Sequence, residues 1–173
     1  THSTGFSGQA LAEDLELLLG LLQEVLCTPT FPLEQISRLR DQWLSNLAMR
    51  AQDTADMASL AFDGLVYPGH PYSRPEDGYP HTIRAIGVDD LRHFHRTHYG
   101  PRGMVIAIVG GVRPQAVVDA VERILGGWHN PNQPDLPALP SWGAPVGRRE
   151  KRISLPGKAQ ADLILGTAGP SRR

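Results

Sequence analysis

The sequence has a single cysteine, few aromatic residues, almost no net charge and no long apolar run. The one thiol, Cys27, excludes an internal disulfide framework and a cysteine-rich zinc module. Seventeen Lys and Arg against eighteen Asp and Glu leave a net charge of −1, so the charge balance does not indicate nucleic acid or an anionic membrane as a partner. The strongly apolar stretch Leu15 to Leu26 contains three polar residues and is shorter than the roughly 20 residues of a membrane span.

Short catalytic motifs are also absent. Neither H-x-x-E-H nor H-E-x-x-H occurs, and these are the helical motifs that hold zinc with two imidazoles and supply a glutamate as general base. There is no G-x-S-x-G elbow for a nucleophilic serine. Cys27 ends a predicted helix, where the negative dipole end raises a thiol pKa, so we interpret it as a structural thiol. Gly110-Gly111 lacks the spacing of a dinucleotide-binding loop; we interpret it as a tight turn, with a phosphate site as the alternative.

Seven histidines raise the question of a metal site. Three of them lie on one predicted helix: His93, His95 and His98. Only His95 and His98 can share a face, and we interpret the three as polar residues on the exposed side of that helix, whose inner side is Leu91 and Phe94. A predicted loop carries two more histidines and two acidic residues: His70, His81, Glu76 and Asp77. A surface metal site in that loop is an alternative that the spacing does not specify.

Helical periodicity dominates the first hundred residues. Predicted helices cover Ala10 to Leu26, continue from Thr30 to Ala51 and begin again at Asp53. A further helix follows Gly87, and another has Pro114 in its first turn and is expected to end in a left-handed stop at Gly126-Gly127. Three predicted strands cover Met104–Val109, Arg152–Leu155 and Asp162–Leu165. This order predicts an α+β fold, with helices packed on one face of a largely antiparallel sheet.

The domain organisation follows from the same segments. We predict that residues 1–130 form the main part of one α+β domain. Residues 131–147 are rich in proline and predict a linker or a long exposed loop. Residues 148–173 are predicted to form strands that complete that domain or open the next one.

Several short stretches occur in an order that belongs to a known family: Thr28-Pro29-Thr30-Phe31-Pro32, Tyr67-Pro68-Gly69-His70-Pro71-Tyr72, Asp89-Asp90-Leu91, Tyr99-Gly100-Pro101, Gly126-Gly127-Trp128 and Gln160 to Gly166. In this order the chain resembles the pitrilysin/insulinase family of zinc metallopeptidases, which includes mitochondrial processing peptidase and many bacterial zinc proteases. The resemblance covers nearly the whole chain. It implies the roll of helices on an antiparallel sheet that this metallopeptidase family adopts, present here as a fragment.

The resemblance also identifies the position of a metal ligand. Active members carry a zinc-ligating glutamate on the second helix, and the register of Ile36 to Arg40 places that position at Asn46. A neutral amide is a poor substitute for a carboxylate on zinc, and Arg50, one turn further on, adds positive charge. The only acidic residues from Leu33 to Met49 are Glu34 and Asp41, and neither fits the position. We therefore expect no catalytic residue and no metal ligand in this chain, and leave its substrate-binding residues unassigned.

The function that the resemblance implies is that of a non-catalytic half or domain of a pitrilysin-type zinc protease. Such a domain forms chamber wall and partner interface, and a surface for extended peptide substrates. Its partner would be a homologous catalytic half or subunit, which alone would hold zinc; nucleic acid and a membrane span are not expected. One alternative is part of an active zinc metalloendopeptidase whose metal ligands lie outside this chain, and another is a purely structural scaffold subunit. Enzyme activity of the whole protein is left open. The compartment stays open between cytoplasm and periplasm, because a single free thiol is compatible with either. No signal peptide is visible before the first helix.

Overall fold

The structure is a computed structural model that describes residues 3–135, 137–167 and 169. Within these residues, helices are the only regular secondary structure. In chain order they are a 3₁₀ helix Ala12–Asp14, α1 Leu15–Cys27, α2 Leu33–Arg50, α3 Thr54–Val66, a second 3₁₀ helix Pro71–Ser73, α4 Pro80–Ala85, α5 Val88–His98 and α6 Pro114–Leu125.

The predicted sheet is wrong for the described residues, because none of them forms a strand. The segments Met104–Val109, Arg152–Leu155 and Asp162–Leu165 are irregular there, as is the remainder of the region 148–167 in which strands were expected. An extended segment becomes a strand only when a neighbour pairs with its N–H and C=O groups. Val105 and Val109 are instead 89% and 98% exposed. High β-propensity therefore does not produce a sheet here.

Helix boundaries follow local signals more closely. The Asp53 carboxylate accepts a hydrogen bond of 2.9 Å from the Asp56 N–H and caps α3, as the sequence predicts. Pro114 stands at the first position of α6, also as predicted. The helix does end at Gly126, but the left-handed stop expected there is wrong, since Gly126 has a φ of −62°. Helix α4 contains His81, which the sequence analysis places in a loop, so that placement is wrong for His81.

The chain divides into two compact units. The first contains the described residues of Thr1–Leu33 and Gly87–Leu136. Its helices α1 and α6 pack on one another, and its buried side chains come from these two helices: Leu19, Leu26, Ala120 and Leu125. Gln23 Nε2 donates a 2.6 Å hydrogen bond to Ile124 O, and Arg123 forms an ion pair of the same length with Glu16. The first unit is therefore a helix pair with a small apolar core.

The second unit contains the described residues of Glu34–Ile86 and Pro137–Arg173. Leu47 of α2 and Ala61 of α3 are its buried apolar residues, and His70 is buried among polar ones. Helix α3 packs against the 3₁₀ helix Pro71–Ser73. None of the helices in the described part of the chain is both long and apolar enough to cross a membrane.

Candidate functional site

A cleft of about 410 Å³ lies in the second unit, beside the carboxyl half of α2. Its lining residues come from α2, the start of α3 and the loop before α4: Trp43, Asn46, Leu47, Met49, Arg50, Asp53, Asp56 and Asp77. The volume falls within the range of small-ligand and peptide-side-chain pockets. Asn46, the position singled out from the sequence, lines this cleft.

Asn46 and Arg50 are one helical turn apart on α2 and line the same cleft. The Arg50 side chain is only 18% exposed and forms a 2.9 Å ion pair with the Asp77 carboxylate. Its second terminal nitrogen donates to Gly78 O at 3.2 Å. The guanidinium is therefore held in the cleft by two bonds to one loop.

The loop at Asp77 and Gly78 is fixed to α2 by a second anchor. Trp43 Nε1 donates a 3.1 Å hydrogen bond to Asp77 O. Gly78 has a φ of +72°, a left-handed conformation that favours glycine over residues with a side chain. The sequence shows Asp77-Gly78 as a turn, but residues 27 positions apart in the chain give no local signal that Arg50 pairs with Asp77.

The carboxylates of the cleft do not form a zinc site. Asp53 is used as the cap of α3, and Asp77 is paired with Arg50. Across residues 3–135, 137–167 and 169, no three or more His, Cys, Asp or Glu side chains are grouped so that they could hold a metal ion. A neutral amide beside a bound guanidinium is a donor set that does not fit Zn²⁺. We derive no catalytic step through zinc at this site.

His95 is not an exposed side chain as the sequence interpretation held. It is half-buried, and its Nε2 donates a 2.8 Å hydrogen bond to Leu26 O, since a carbonyl oxygen can only accept. That carbonyl lies in the last turn of α1 and has no partner within the helix. The ring also stacks on Tyr99 and meets the edge of Phe31. His95 joins α5 to the end of α1. Binding of a metal ion through Nε2 would break the hydrogen bond from this atom to Leu26 O.

The other two histidines of α5 are exposed, as predicted. Phe94 was placed on the inner side of the helix and is instead 54% exposed, with its ring against His98 at a centroid distance of 4.6 Å. His95 is bonded to Leu26 O and stacked on Tyr99, whereas the ring of His98 lies against Phe94.

His70 is the buried polar residue of the second unit, with 8% of its surface exposed. Its Nδ1 accepts a 3.2 Å hydrogen bond from the Tyr72 N–H and so caps the 3₁₀ helix Pro71–Ser73. Its ring lies within 5.9 Å of the rings of Tyr67 and Tyr72, centroid to centroid. His81 is exposed and stacks on Tyr79. The structure places His81 on α4 and not in the predicted loop. Among the described residues, neither His70 nor His81 belongs to a group of three or more side chains that could hold a metal ion.

Cys27 is the last residue of α1 and is half-buried. Burial raises the pKa of its thiol above the ordinary value. The direction agrees with the prediction of a structural thiol, and a thiol kept protonated is a poor nucleophile.

Comparison with known proteins now identifies the family. The family model of the peptidase M16 inactive domain matches residues 85–173, just over half of the chain. A protein named an uncharacterised zinc protease from Mycobacterium leprae is 27% identical over 169 residues, which cover 98% of this chain and 38% of that protein. Subunit beta of a mitochondrial-processing peptidase from Caenorhabditis elegans is 26% identical over 125 residues, covering 72% of this chain and 27% of that subunit.

Solved structures agree with these relatives. The crystal structure of a peptidase M16 inactive domain from Pseudomonas fluorescens superimposes with a TM-score of 0.68 at 27% identity. The match covers 77% of this chain and 32% of the other. The chain thus spans well under half the length of each of the proteins it matches.

Proposed function

This chain belongs to the peptidase M16 inactive domain family, and on that premise we propose that it forms a non-catalytic wall and partner interface beside a zinc-bearing catalytic domain of the same family. The proposal includes a surface that binds extended peptide substrates. The resemblance to the pitrilysin/insulinase family is confirmed, and the domain is an inactive member of a zinc-protease-like family. The chamber, the partner and the substrate are our inference.

The observation that carries the proposal is that Asn46 and Arg50, one turn apart on α2, line the same cleft. If Asn46 stands at the family's glutamate position, the cleft offers an amide and an ion-paired guanidinium where a catalytic member offers a carboxylate. The same cleft retains features suited to a peptide. Trp43 and Met49 are 38% and 72% exposed, and they supply apolar contact area next to the carboxylates of Asp53 and Asp56.

Support for a partner interface comes from α1. Leu17, Leu21 and Val25 recur every four residues, so they share one face, and they are 62%, 51% and 50% exposed. Single exposed apolar residues are ordinary, but a continuous apolar stripe is typical of a surface that a protein partner covers. The names of two relatives, a zinc protease and a peptidase subunit, are consistent with such a role.

The test combines this chain with a catalytic domain of the family and measures zinc content, peptide hydrolysis and association. The chain alone is expected to hold substoichiometric zinc and to hydrolyse no peptide, whereas the mixture shows hydrolysis that a chelator abolishes. The double variant Leu17→Ser/Leu21→Ser should weaken association, because it removes part of the apolar stripe. Leu39→Ser, at a residue 56% exposed on α2, is the matched control and should not weaken it.

Two outcomes would contradict the proposal. Stoichiometric zinc on the chain alone, with chelator-sensitive hydrolysis, would mean that Asn46 does not mark an inactive site. Association without any effect on peptide binding or hydrolysis would favour a structural scaffold.

A further inference from the structure

A basic loop, defined as residues 147–157, lies in the second unit, where Arg149 donates a long hydrogen bond of 3.5 Å to Leu65 O of α3. It is bracketed by two left-handed glycines, Gly147 with φ of +75° and Gly157 with φ of +78°. Between them the chain forms neither helix nor strand, and all residues except Leu155 are exposed. The loop carries two pairs of cationic residues, Arg148-Arg149 and Lys151-Arg152. Left-handed turns at both ends of an exposed stretch favour a projecting loop.

The ion pairs within the loop leave the side chains of Arg148 and Arg152 largely exposed. Glu150 pairs with Arg148 at 3.1 Å and with Arg152 at 2.8 Å. The side chains of Arg148 and Arg152 nevertheless remain 88% and 91% exposed. Exposed ion pairs contribute little and are screened by salt, so both side chains can leave Glu150 for a binding pocket.

Both limbs of the loop are held by one helix, α3. On the limb before the loop, Trp142 Nε1 donates a 2.8 Å hydrogen bond to Val66 O, and its ring lies 5.3 Å from that of Tyr67. On the limb after the loop, the Thr54 hydroxyl donates to the Asp162 carboxylate. Gly166 lies against the Phe62 ring, where a side chain would overlap it. A break in the loop therefore leaves each limb with its own contacts to α3.

We infer that the basic loop is a proteolytic processing site, cut by an endoprotease whose acidic specificity pocket takes paired basic residues, and that the two pieces stay assembled on α3. The cut adds one water across the Arg149–Glu150 or Arg152–Ile153 peptide bond: the C–N bond breaks, leaving a carboxylate on one piece and an amino group on the other. A protease binds its substrate in an extended form, and an irregular exposed loop can adopt that form without losing a helix.

Other basic residues of the second unit are worse sites. Arg38, Arg40 and Arg50 are on α2 and Arg84 is on α4, and a helix must open before a protease can bind it. Arg74 precedes Pro75, and proteases of basic specificity do not cut before proline. Lys158, just outside the loop, is exposed but lacks a second cation beside it.

Trypsin under native conditions is the probe, with intact-mass spectrometry over a time course on the whole 173-residue chain. We expect the first cuts between Arg148 and Ile153. Replacing all four basic residues of the loop by glutamine should lower the initial rate of cleavage about tenfold, since the next sites depend on local opening. The matched control, Arg92→Gln/Arg96→Gln on α5, should leave the initial rate unchanged.

Assembly is measured on the nicked chain by size exclusion without denaturant. The two pieces should elute together, and they should separate in the nicked Trp142→Ala variant, which loses the anchor on Val66. Circular dichroism of uncut Trp142→Ala checks that α3 has formed, and Asp162→Asn provides a second variant on the other limb. First cuts outside the loop, or separation of the nicked wild-type pieces, would overturn the inference. So would cleavage of wild type and the Arg149→Gln/Arg152→Gln variant at equal rates by a protease specific for paired basic residues.

Discussion

The two compact units of the chain are stabilised by different kinds of contact. In the first unit, α1 and α6 bury leucine and alanine side chains against each other, and polar groups such as Gln23 add bonds at the edge. In the second unit, long or aromatic side chains fix loops by binding their backbone carbonyls, as Trp43, Arg50 and Trp142 do. Both kinds of contact join residues tens of positions apart. Helical periodicity indicates which side chains make the first kind, but it does not indicate which side chains make the second. The candidate site lies in the second unit, where α2 follows helical periodicity but the bonds from α2 to the loop at Asp77 and Gly78 do not.

The largest expected effect comes from a substitution that weakens the packing of α1 on α6 in the first unit. Leu125→Ala removes a side chain that is 5% exposed, and it should lower the free energy of unfolding by about 2–5 kcal/mol through lost transfer energy and a cavity. Urea unfolding followed by circular dichroism gives the value. Leu17→Ala, at a residue 62% exposed on α1, is the control and should change it by no more than about 0.5 kcal/mol. Equal losses in the two variants would mean that the α1 and α6 core does not stabilise the unit.

A smaller change in stability is expected when His70, the cap of the 3₁₀ helix Pro71–Ser73 in the second unit, is replaced. His70→Ala and His70→Asn both remove the buried ring, but asparagine keeps an acceptor for the Tyr72 N–H. His70→Asn should therefore be the more stable variant by about 1 kcal/mol, the usual worth of a helix cap. Thermal unfolding of the two proteins measures the difference. If the two variants unfold alike, the ring packing alone explains the burial of His70.

The smallest expected changes in the free energy of unfolding come from substitutions that remove either of two ion pairs. Arg50→Gln removes bonds to both Asp77 and Gly78 from a side chain only 18% exposed, and should cost about 1 kcal/mol. Arg92→Gln removes an exposed pair with Asp89 and should cost about 0.3 kcal/mol. Because Trp43 is bonded to the same loop as Arg50, the fluorescence of this tryptophan should also shift in Arg50→Gln. A shift of equal size in Arg92→Gln would show that the loop is not held by Arg50.

Much of the helical structure could be predicted, because its signals are local. The Asp53 cap, Pro114 at the start of α6 and the leucines of α1 each act within a few residues of their position. The sheet could not be predicted in this way. Met104–Val109 has the composition of a strand, but a strand also needs a partner that its own residues do not contain.

The residues of the candidate site also fall into those that the sequence indicates and those that only the structure shows. Asn46 and its neighbour Arg50 were found from the register of one helix, and the assignment of Asn46 to the glutamate position remains a prediction. Asp77 completes the cleft through an ion pair with Arg50 across 27 residues, which no spacing rule contains. The interpretation of His95 as exposed was wrong for a related reason, since its acceptor, Leu26 O, is 69 residues away in the chain.

From the amino-acid sequence alone came the family, the positions of the main helices and the lack of an acidic residue at position 46, because composition, helix capping and residue order are properties of neighbouring residues. Only the tertiary structure decided which side chains reach distant loops, that Arg50 is neutralised by Asp77, and that the apolar segments remain unpaired within the described residues. The physical reason is that a hydrogen bond, an ion pair or a strand ladder depends on the distance between two groups in space, and the chain order fixes that distance only for near neighbours.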